Sequence, residues 1–198
     1  ILRVIRRYIN ASKNILFEGD NYSDEWAQEA EKRGLSNVKT TAYALDFLNT
    51  KKAKDVFIKN NIFSDVELEA RSEIFYEAYT MKLQIEARTL GEMALNEILP
   101  VAITYQNNLI ANARGLKDLG LKKGSYQSQL NLIERISSHI QVIENDVAEM
   151  IEARKKANKL VGASEMAKAY CDDVKPYFDT IRYNCDKLEL IVDDKLWP

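Results

Sequence analysis

The single histidine of this chain is the first candidate for chemistry. His139 stands in the stretch S-S-H-I-Q, between apolar positions that recur at helical spacing. Helical metal sites place a carboxylate three or four residues from the histidine, and no Asp or Glu stands at either spacing here. A di-metal carboxylate bundle needs two Glu-x-x-His pairs, which a chain with one histidine cannot supply. We interpret His139 as a structural residue.

Two pairs of adjacent aspartates are the next candidates, because carboxylate oxygens are the ligands that hard divalent cations prefer. The pairs are Asp172–Asp173 and Asp193–Asp194. Neighbouring residues on a helix point about 100° apart, so the two carboxylates of a pair do not converge on one ion. We interpret both pairs as solvated surface.

The two cysteines, Cys171 and Cys185, are the remaining reactive side chains. On one helix they would stand about 21 Å apart at 1.5 Å per residue, whereas a disulfide needs Cα atoms within about 7 Å. No cluster of bases surrounds either thiol in the sequence to lower its pKa. We predict free structural thiols in a reducing compartment.

The charge balance excludes some partners. The chain has 28 basic and 30 acidic residues, a net charge of −2, and its basic clusters are interleaved with acids. No basic field is available to attract nucleic acid. The longest apolar run near the middle of the chain, Ile98 to Ile103, is interrupted by Pro100. A membrane span needs about 20 apolar residues, so we expect no membrane partner.

The elements that would position these residues are helices. Only seven glycines and three prolines interrupt the chain, and no segment alternates apolar and polar residues for long. Ser64 and Glu67 form a capping box, which predicts a helix of about 35 residues or more from that point. Pro100 predicts a kink or a new helix start. Gly115, together with two later glycines, predicts a connection over residues 114–124.

A heptad seam follows this connection. Its apolar residues fall in two series of spacing seven that interleave at three and four: Ile133, Ile140 and Val147, and Ile136, Ile143 and Met150. Three heptads are marginal for a free coiled coil, so we expect the seam to pack inside a bundle. Gly162 is predicted to end this helix. Ser164 with Glu165 then starts a last helix, which must accommodate Pro176.

The predicted fold is therefore all-α. Residues 1–62 are short helices and irregular loops with no seam of their own, and they look like a piece that wraps another body. Residues 63–198 form a long antiparallel helical hairpin or bundle.

One short helix has clear signals at both ends. In the stretch N-Y-S-D-E-W-A-Q-E-A-E-K-R-G-L, residues 21–35, Ser23 can cap the helix and Gly34 can end it. Asp24 and Glu25 place negative charge at the positive end of the helix dipole. Capping does not explain why Asn21, Tyr22 and Trp26 stand at the start of this helix.

This stretch resembles the segment that follows the catalytic barrel in type III glutamine synthetases, the large bacterial class of glutamate–ammonia ligase. Further blocks are similar to the same family in the same order, from about residue 8 to residue 198. They are T-T-A-Y-A-L-D-F-L at 40–48, I-F-S-D-V-E-L-E-A-R at 62–71, Q-I-E-A-R-T-L-G-E-M-A-L-N-E-I-L-P-V at 84–101 and the final D-K-L-E-L-I-V-D-D-K-L-W-P.

The resemblance implies a function for a larger protein. We expect a cytoplasmic homo-oligomer of glutamine biosynthesis and nitrogen metabolism that uses ATP and magnesium to join ammonia to glutamate. Residues 1–62 would be the tail of its catalytic domain and residues 63–198 a helical bundle extension. Both ends of the chain look like cuts. Because the family's catalytic groups lie on barrel strands, we expect no catalytic, cofactor-binding or metal-binding residue in this piece.

The resemblance also singles out candidate docking residues, which are Asn21, Tyr22, Trp26 and Trp197. They stand in family-like motifs and are expected to contact the catalytic domain of the same chain, although Trp26 has the alternative of folding back on this chain's own helices. A different hypothesis is a free-standing helical adaptor that binds a partner helix through the isoleucine-rich seam. The role of the helical extension, in ring stacking, effector binding or stability, is open at this point.

Overall fold

The structure is a computed structural model that describes all of residues 1–198. It is built from helices and contains no strand, as predicted. The α-helices are α1 (Leu2–Ala11), α2 (Asp24–Lys32), α3 (Thr41–Ala44), α4 (Lys51–Lys59), α5 (Asp65–Met93), α6 (Leu99–Asp118), α7 (Gln127–Ala157), α8 (Ala163–Ala169) and α9 (Pro176–Glu189). Short 3₁₀ turns occupy Lys13–Ile15, Leu45–Asn49 and Lys123–Tyr126, and π-helical turns occupy Ala94–Ile98 and Tyr170–Val174. No helix is both long enough and apolar enough to span a bilayer.

The chain forms two compact units, with the boundary between Ala44 and Leu45. We call Ile1–Ala44 the N-terminal unit and Leu45–Pro198 the C-terminal unit. Residues 45–62 therefore belong to the C-terminal unit. The boundary predicted at residue 62 is of another kind, because it separates the tail of a catalytic domain from a helical extension in a longer protein. That boundary stays a prediction.

The long helix of the C-terminal unit begins at the expected capping box. The Ser64 hydroxyl accepts from the Glu67 backbone N–H at 3.3 Å, and the Glu67 carboxylate accepts from the Ser64 backbone N–H at 2.8 Å. The helix continues as α5 to Met93 and resumes as α6 at Leu99. The capping box satisfies backbone donors that have no partner inside a helix, which fixes the start of α5.

Both prolines inside the helical region follow a π-helical turn. Pro100 lies in the first turn of α6, and Pro176 is the first residue of α9. The Lys175 N–H donates to the Tyr170 carbonyl five residues back, at 2.9 Å. A proline has no N–H to donate, and in the first turn of a helix no acceptor is waiting for one. Pro100 was predicted to cause a kink or a new helix start; the chain stays in right-handed helical conformation through the π-helical turn, and Pro100 lies in the first turn of α6 after it.

The connection after α6 is shorter than predicted. Gly115 lies inside α6, which continues to Asp118, so its assignment to the connection was wrong. Gly120, with φ of +80°, ends the helix instead, and the Leu121 N–H donates to the Leu116 carbonyl at 3.2 Å. One glycine costs a helix about 1 kcal/mol, which the packing of α6 on α7 offsets.

Helix α7 lies between α6 and α9 and carries the core. Four seam residues are at most 1% exposed: Ile136, Ile143, Val147 and Met150. The other two, Ile133 and Ile140, are half-buried. The seam thus packs inside a bundle, as predicted, and its buried residues leave no free surface for a partner helix. The adaptor hypothesis loses its main support.

The end of α7 also differs from expectation. The helix ends at Ala157, and Gly162 instead precedes α8 in an extended conformation, with φ of −83° and ψ of 136°. Ser164 lies within the first turn of α8 rather than before it. The predicted end of α7 at Gly162 and the predicted helix start at Ser164 were therefore wrong by a few residues.

Candidate docking surface

Trp26, in the N-terminal unit, lies between an aromatic ring and a guanidinium group. Its ring centroid is 4.6 Å from that of Phe17, with the ring planes inclined at 31°. Arg33 follows the last residue of α2, and its guanidinium carbon lies 5.6 Å from the Trp26 ring centroid. A cation near the face of an indole ring is attracted by its quadrupole. Trp26 is half-buried by these neighbours, which belong to its own unit.

Arg33 holds this arrangement together. Its Nε donates to the Glu29 carboxylate at 2.7 Å, and its Nη1 donates to the Leu16 carbonyl at 2.6 Å. The guanidinium therefore joins the end of α2 to the loop that carries Phe17. A planar group with several fixed donors suits this double role better than an ammonium would.

Helix α2 has the ends that the sequence predicts. The Ser23 hydroxyl accepts from the Trp26 backbone N–H at 3.3 Å, which fixes the start of the helix beside the indole. At the other end Gly34 has φ of +76°, and the Leu35 N–H donates to the Ala30 carbonyl at 2.9 Å. This is the Schellman arrangement, which requires the left-handed conformation that glycine adopts without strain.

Asn21 and Tyr22 lie just before this helix, and both are exposed; Tyr22 is 99% exposed. The Tyr22 backbone N–H donates to the Asp20 carboxylate at 2.9 Å, so the turn is ordered although the side chain has no cover. A cavity of 320 Å³ opens beside these residues and continues along α2. Its walls include Asn21, Tyr22, Trp26, Ala30 and Leu35.

Helix α1 presents an uncovered apolar side in the same unit. None of its residues is buried. Leu2, Ile5 and Ile9 share one side of the helix and are 81%, 47% and 51% exposed. The arginines Arg3, Arg6 and Arg7 occupy the other side. A helix of ten residues is marginal in water without tertiary packing, so this apolar side needs a covering surface.

Trp197 lies in the C-terminal unit, where it packs against the hydrophobic core of the bundle and is half-buried. Its backbone N–H donates to the Asp193 carbonyl at 3.2 Å. Trp197 thus has a place in the bundle itself, and its role as a docking residue stays a prediction.

A polar cluster that the sequence analysis missed fastens residues 45–49 to the bundle. The Tyr76 hydroxyl donates to one oxygen of Asp46 at 2.7 Å, and the Lys168 ammonium lies 2.8 Å from the other. The Lys168 hydrogen bond, with a contribution from Tyr76, holds the pKa of the Asp46 carboxyl below its usual value. Burial and the Asp46 carboxylate raise the pKa of Tyr76 to about 12. No periodic pattern joins three elements so far apart in the chain, so the sequence carried no signal for this cluster.

The other candidate groups have structural surroundings. His139 Nδ1 lies 2.8 Å from the side-chain oxygen of Asn184, and the Asn184 amide donates to the Thr180 carbonyl at 2.8 Å. Because the amide hydrogens of Asn184 point at that carbonyl, its oxygen accepts from an Nδ1–H of His139. Cys171 and Cys185 are free and buried, and burial raises the pKa of the Cys185 thiol to about 11. Neither thiol is poised as a nucleophile.

A cavity of about 710 Å³ lies between α7 and the π-helical turn before α9. Asp172 and Asp173 contribute to its walls together with Glu149 and Glu152. No group of three or more His, Cys, Asp or Glu side chains is arranged to hold a metal ion.

Comparisons with known proteins agree on one family. The family described as "Glutamine synthetase C-terminal domain" matches residues 1–117. A glutamine synthetase of Bacteroides fragilis is 41% identical over 202 aligned residues, which cover 100% of this chain and 28% of that protein. A type-3 glutamine synthetase of Dictyostelium discoideum is 31% identical, with 99% of this chain and 27% of that protein covered. A glutamine synthetase of Butyrivibrio fibrisolvens is 27% identical, with 98% and 28% covered. The chain thus spans little more than a quarter of the length of these relatives.

Proposed function

The chain belongs to the glutamine synthetase C-terminal domain family, and we propose that it is the C-terminal, non-catalytic region of a glutamine synthetase. The parent enzyme joins ammonia to glutamate, and ATP is converted to ADP and phosphate through a γ-glutamyl phosphate. The observation that carries this proposal is the 41% identity to the Bacteroides fragilis glutamine synthetase along the whole of this chain. The parent is expected to act in the cytoplasm as a homo-oligomer.

The catalytic groups are assigned to the part of the enzyme outside this chain. ATP, magnesium and glutamate require carboxylate ligands and phosphate-binding groups that converge on one site. The assignment is supported by the arrangement of His, Cys, Asp and Glu side chains here, of which no three are grouped so that they could hold a metal ion. In this proposal the region completes the wall of the catalytic domain and adds a helical extension that serves structure, assembly or regulation.

The test of this assignment compares the full-length protein with residues 1–198 alone. Full-length protein should form glutamine from glutamate, ammonia and ATP with magnesium, and residues 1–198 should neither form glutamine nor release heat on titration with MgATP. Tight binding of MgATP by residues 1–198 would place a nucleotide site in this region and contradict the assignment. A full-length protein without ligase activity would contradict the parent function.

The N-terminal unit supplies the docking surface in this proposal. Tyr22 and the apolar side of α1 are uncovered, and burial of such side chains contributes about 1.5 to 3 kcal/mol each. The proposed occupant is the catalytic domain of the same chain, because the matched relatives are more than three times as long as this chain. Asn21 and Trp26 line the cavity beside Tyr22 and are candidate contacts with that domain, and Trp197 is retained as a separate candidate contact.

Site-directed labelling tests this docking. Ile5→Cys places a thiol on the apolar side of α1, and the matched variant Arg7→Cys places one on the arginine side. A maleimide reagent should modify both in residues 1–198. In the full-length protein Ile5→Cys should be protected while Arg7→Cys still reacts. Equal reaction of the two variants in the full-length protein would show that α1 does not dock through its apolar side.

A further inference from the structure

Helix α5 is apolar on two opposite sides. Its inner side packs into the C-terminal unit through residues that include Leu68, Tyr76 and Leu83, each at most 6% exposed. At 100° per residue, a second apolar row lies on the opposite side of the helix. We call this row the outer stripe; it consists of Ile74, Ala78, Met81 and Ile85.

Three of the four residues of the outer stripe are exposed in the structure, and the small side chain of Ala78 between them is half-buried. Ile74, Met81 and Ile85 are 59%, 55% and 57% exposed. A helix at the surface of a soluble domain normally presents charged and polar residues on its outward side, and an apolar row there marks a contact surface. The buried residues of α5 all lie on its inner side, and none of them belongs to the outer stripe.

The spacing of the stripe is the a/d spacing of a heptad coiled coil. Successive residues lie four, three and four positions apart, so Ile74 and Met81 occupy d positions and Ala78 and Ile85 occupy a positions. The row ends at Arg88, the next d position. The stripe therefore matches a short helical partner of similar length, with a second α5 as one that satisfies the pattern.

The charges beside the stripe select both the partner and its direction. In this heptad register Glu77 is a g residue and Lys82 the following e residue. Both are exposed, and neither takes part in an ion pair within the chain. In a parallel pair of identical helices, each g residue faces the e residue five positions later on the partner, so Glu77 meets Lys82 twice. In an antiparallel pair, g residues face g residues and e residues face e residues, so Glu77 would not meet Lys82.

We propose that the outer stripe is an interface with a second copy of this chain, in which two α5 helices run parallel. This deepens the homo-oligomer of the proposed function by naming its contact surface. The inference depends on the partner part of that proposal and not on ligase chemistry, so failure of one is distinguishable from failure of the other.

Single cysteines in the full-length protein test the pairing. Ile74→Cys, Met81→Cys and Ile85→Cys each place a thiol opposite its own copy in a parallel pair, within reach of a disulfide. With diamide as the oxidant, each should cross-link about tenfold or more faster than a collisional control, because a bound partner raises the effective concentration of the second thiol. The control is Val161→Cys, which is fully exposed and far from the stripe in sequence. The native Cys171 and Cys185 are buried, and the unsubstituted protein reports any background.

A charge exchange supplies the second readout. Lys82→Glu places a glutamate opposite the partner's Glu77, and cross-linking of Met81→Cys should slow by about threefold to tenfold. Addition of Glu77→Lys to the same chain restores the opposite charges and should restore the rate. If the cross-linking rate recovers in the doubly exchanged protein, the slower rate of Lys82→Glu was caused by charge repulsion and not by a folding defect. Both changed residues are exposed.

Each remaining outcome overturns the proposal. Cross-linking at only one of the three positions indicates an antiparallel pair, in which only residues near the two-fold axis meet their own copy. Rates equal to that of Val161→Cys indicate random collision. Absence of cross-linking, with the three thiols also protected from maleimide, indicates that another part of the enzyme covers the stripe. Ligase activity measured on the same samples reports separately on the parent function.

Discussion

The two compact units use the same local devices to form helices, but they differ in what holds those helices in place. Ser23 caps α2 and Ser64 caps α5, each at 3.3 Å from a backbone nitrogen. In the C-terminal unit the helices bury large side chains such as Ile143 and Tyr170 completely. In the N-terminal unit the buried apolar residues are Ala30 and Ala42, whose side chains are single methyl groups.

In the proposed docking, this difference identifies the N-terminal unit as the one that depends on a surface outside it. Burial of apolar area is the largest favourable contribution to folding, and two methyl groups supply little of it. The C-terminal unit has a core of its own and is expected to be stable without a partner. The N-terminal unit has exposed apolar side chains on α1 and around Tyr22 instead, as expected of a segment that completes another body.

The largest expected effect is the difference in stability loss between truncating a buried isoleucine of the C-terminal unit and truncating an exposed isoleucine of the N-terminal unit. Ile143→Ala removes a side chain that is 0% exposed and should lower the free energy of unfolding by about 2 to 5 kcal/mol. Ile5→Ala, at a residue 47% exposed, should change it by less than about 0.5 kcal/mol. Urea unfolding of residues 1–198, followed by far-ultraviolet circular dichroism, measures both. A loss for Ile5→Ala as large as that for Ile143→Ala would show that α1 is packed in the isolated chain.

The next effect concerns the polar cluster that fastens residues 45–49 to the bundle. Asp46→Ala removes the acceptor of the Tyr76 hydroxyl and the partner of Lys168, and should cost about 1 to 2 kcal/mol. Asp46→Asn keeps an acceptor for Tyr76 and should cost less, because the Asp46 side chain is 45% exposed and its ion pair is screened by solvent. The same urea experiment checks the order of the two losses. Identical losses would mean that the hydrogen bond to Tyr76 contributes nothing.

The matched caps give a smaller effect that separates the units directly. Ser64→Ala should lower the stability of the C-terminal unit by about 1 kcal/mol, since the Glu67 N–H loses its acceptor. Ser23→Ala removes the equivalent bond in α2 and should leave the main unfolding transition unchanged. Hydrogen exchange should instead show faster exchange in residues 24–27. A shift of the main transition by Ser23→Ala would mean that the two units unfold together.

The smallest effect is a dependence on pH. The pKa of Asp46 is lowered in the folded chain from its ordinary 3.8 by the Lys168 hydrogen bond. The ionised carboxylate therefore stabilises the fold above about pH 4, and this contribution is lost as the pH falls through the lowered pKa. The stability difference between the unsubstituted chain and Asp46→Asn should be constant from pH 7 to about pH 5 and shrink below about pH 4. A difference that does not change with pH would show that the charge of Asp46 is not involved.

Local rules in the sequence predicted much of the secondary structure. Ser23, Ser64 and Gly34 each act on backbone groups within a few residues, so their roles were evident from the sequence around them. Pro100 predicted the restart of the long helix for the same reason. The heptad seam predicted the buried side of α7, because a period of seven places its residues on one side of a helix.

Gly115 and Gly162 show where local rules fail. The helix propensity of Gly115 is poor, but α6 continues through it because the packing of α6 against α7 offsets the loss. Gly162 adopts an extended conformation that other residues also adopt, so its presence did not fix the end of α7. Propensity differences of about 1 kcal/mol decide where a helix ends only if tertiary packing does not favour one end over another.

The sequence of this chain determined an all-helical fold, the main helix starts, the inner side of α7 and a family resemblance, since each depends on residue spacing or on short blocks in order. The tertiary structure decided which surfaces remain uncovered. Whether Trp26 meets Phe17, whether Asp46 meets Lys168 and whether the outer stripe of α5 is open depend on contacts between segments far apart in the chain. Such contacts depend on the apolar surface that the whole molecule buries when it folds, and a local pattern of residues does not determine that surface.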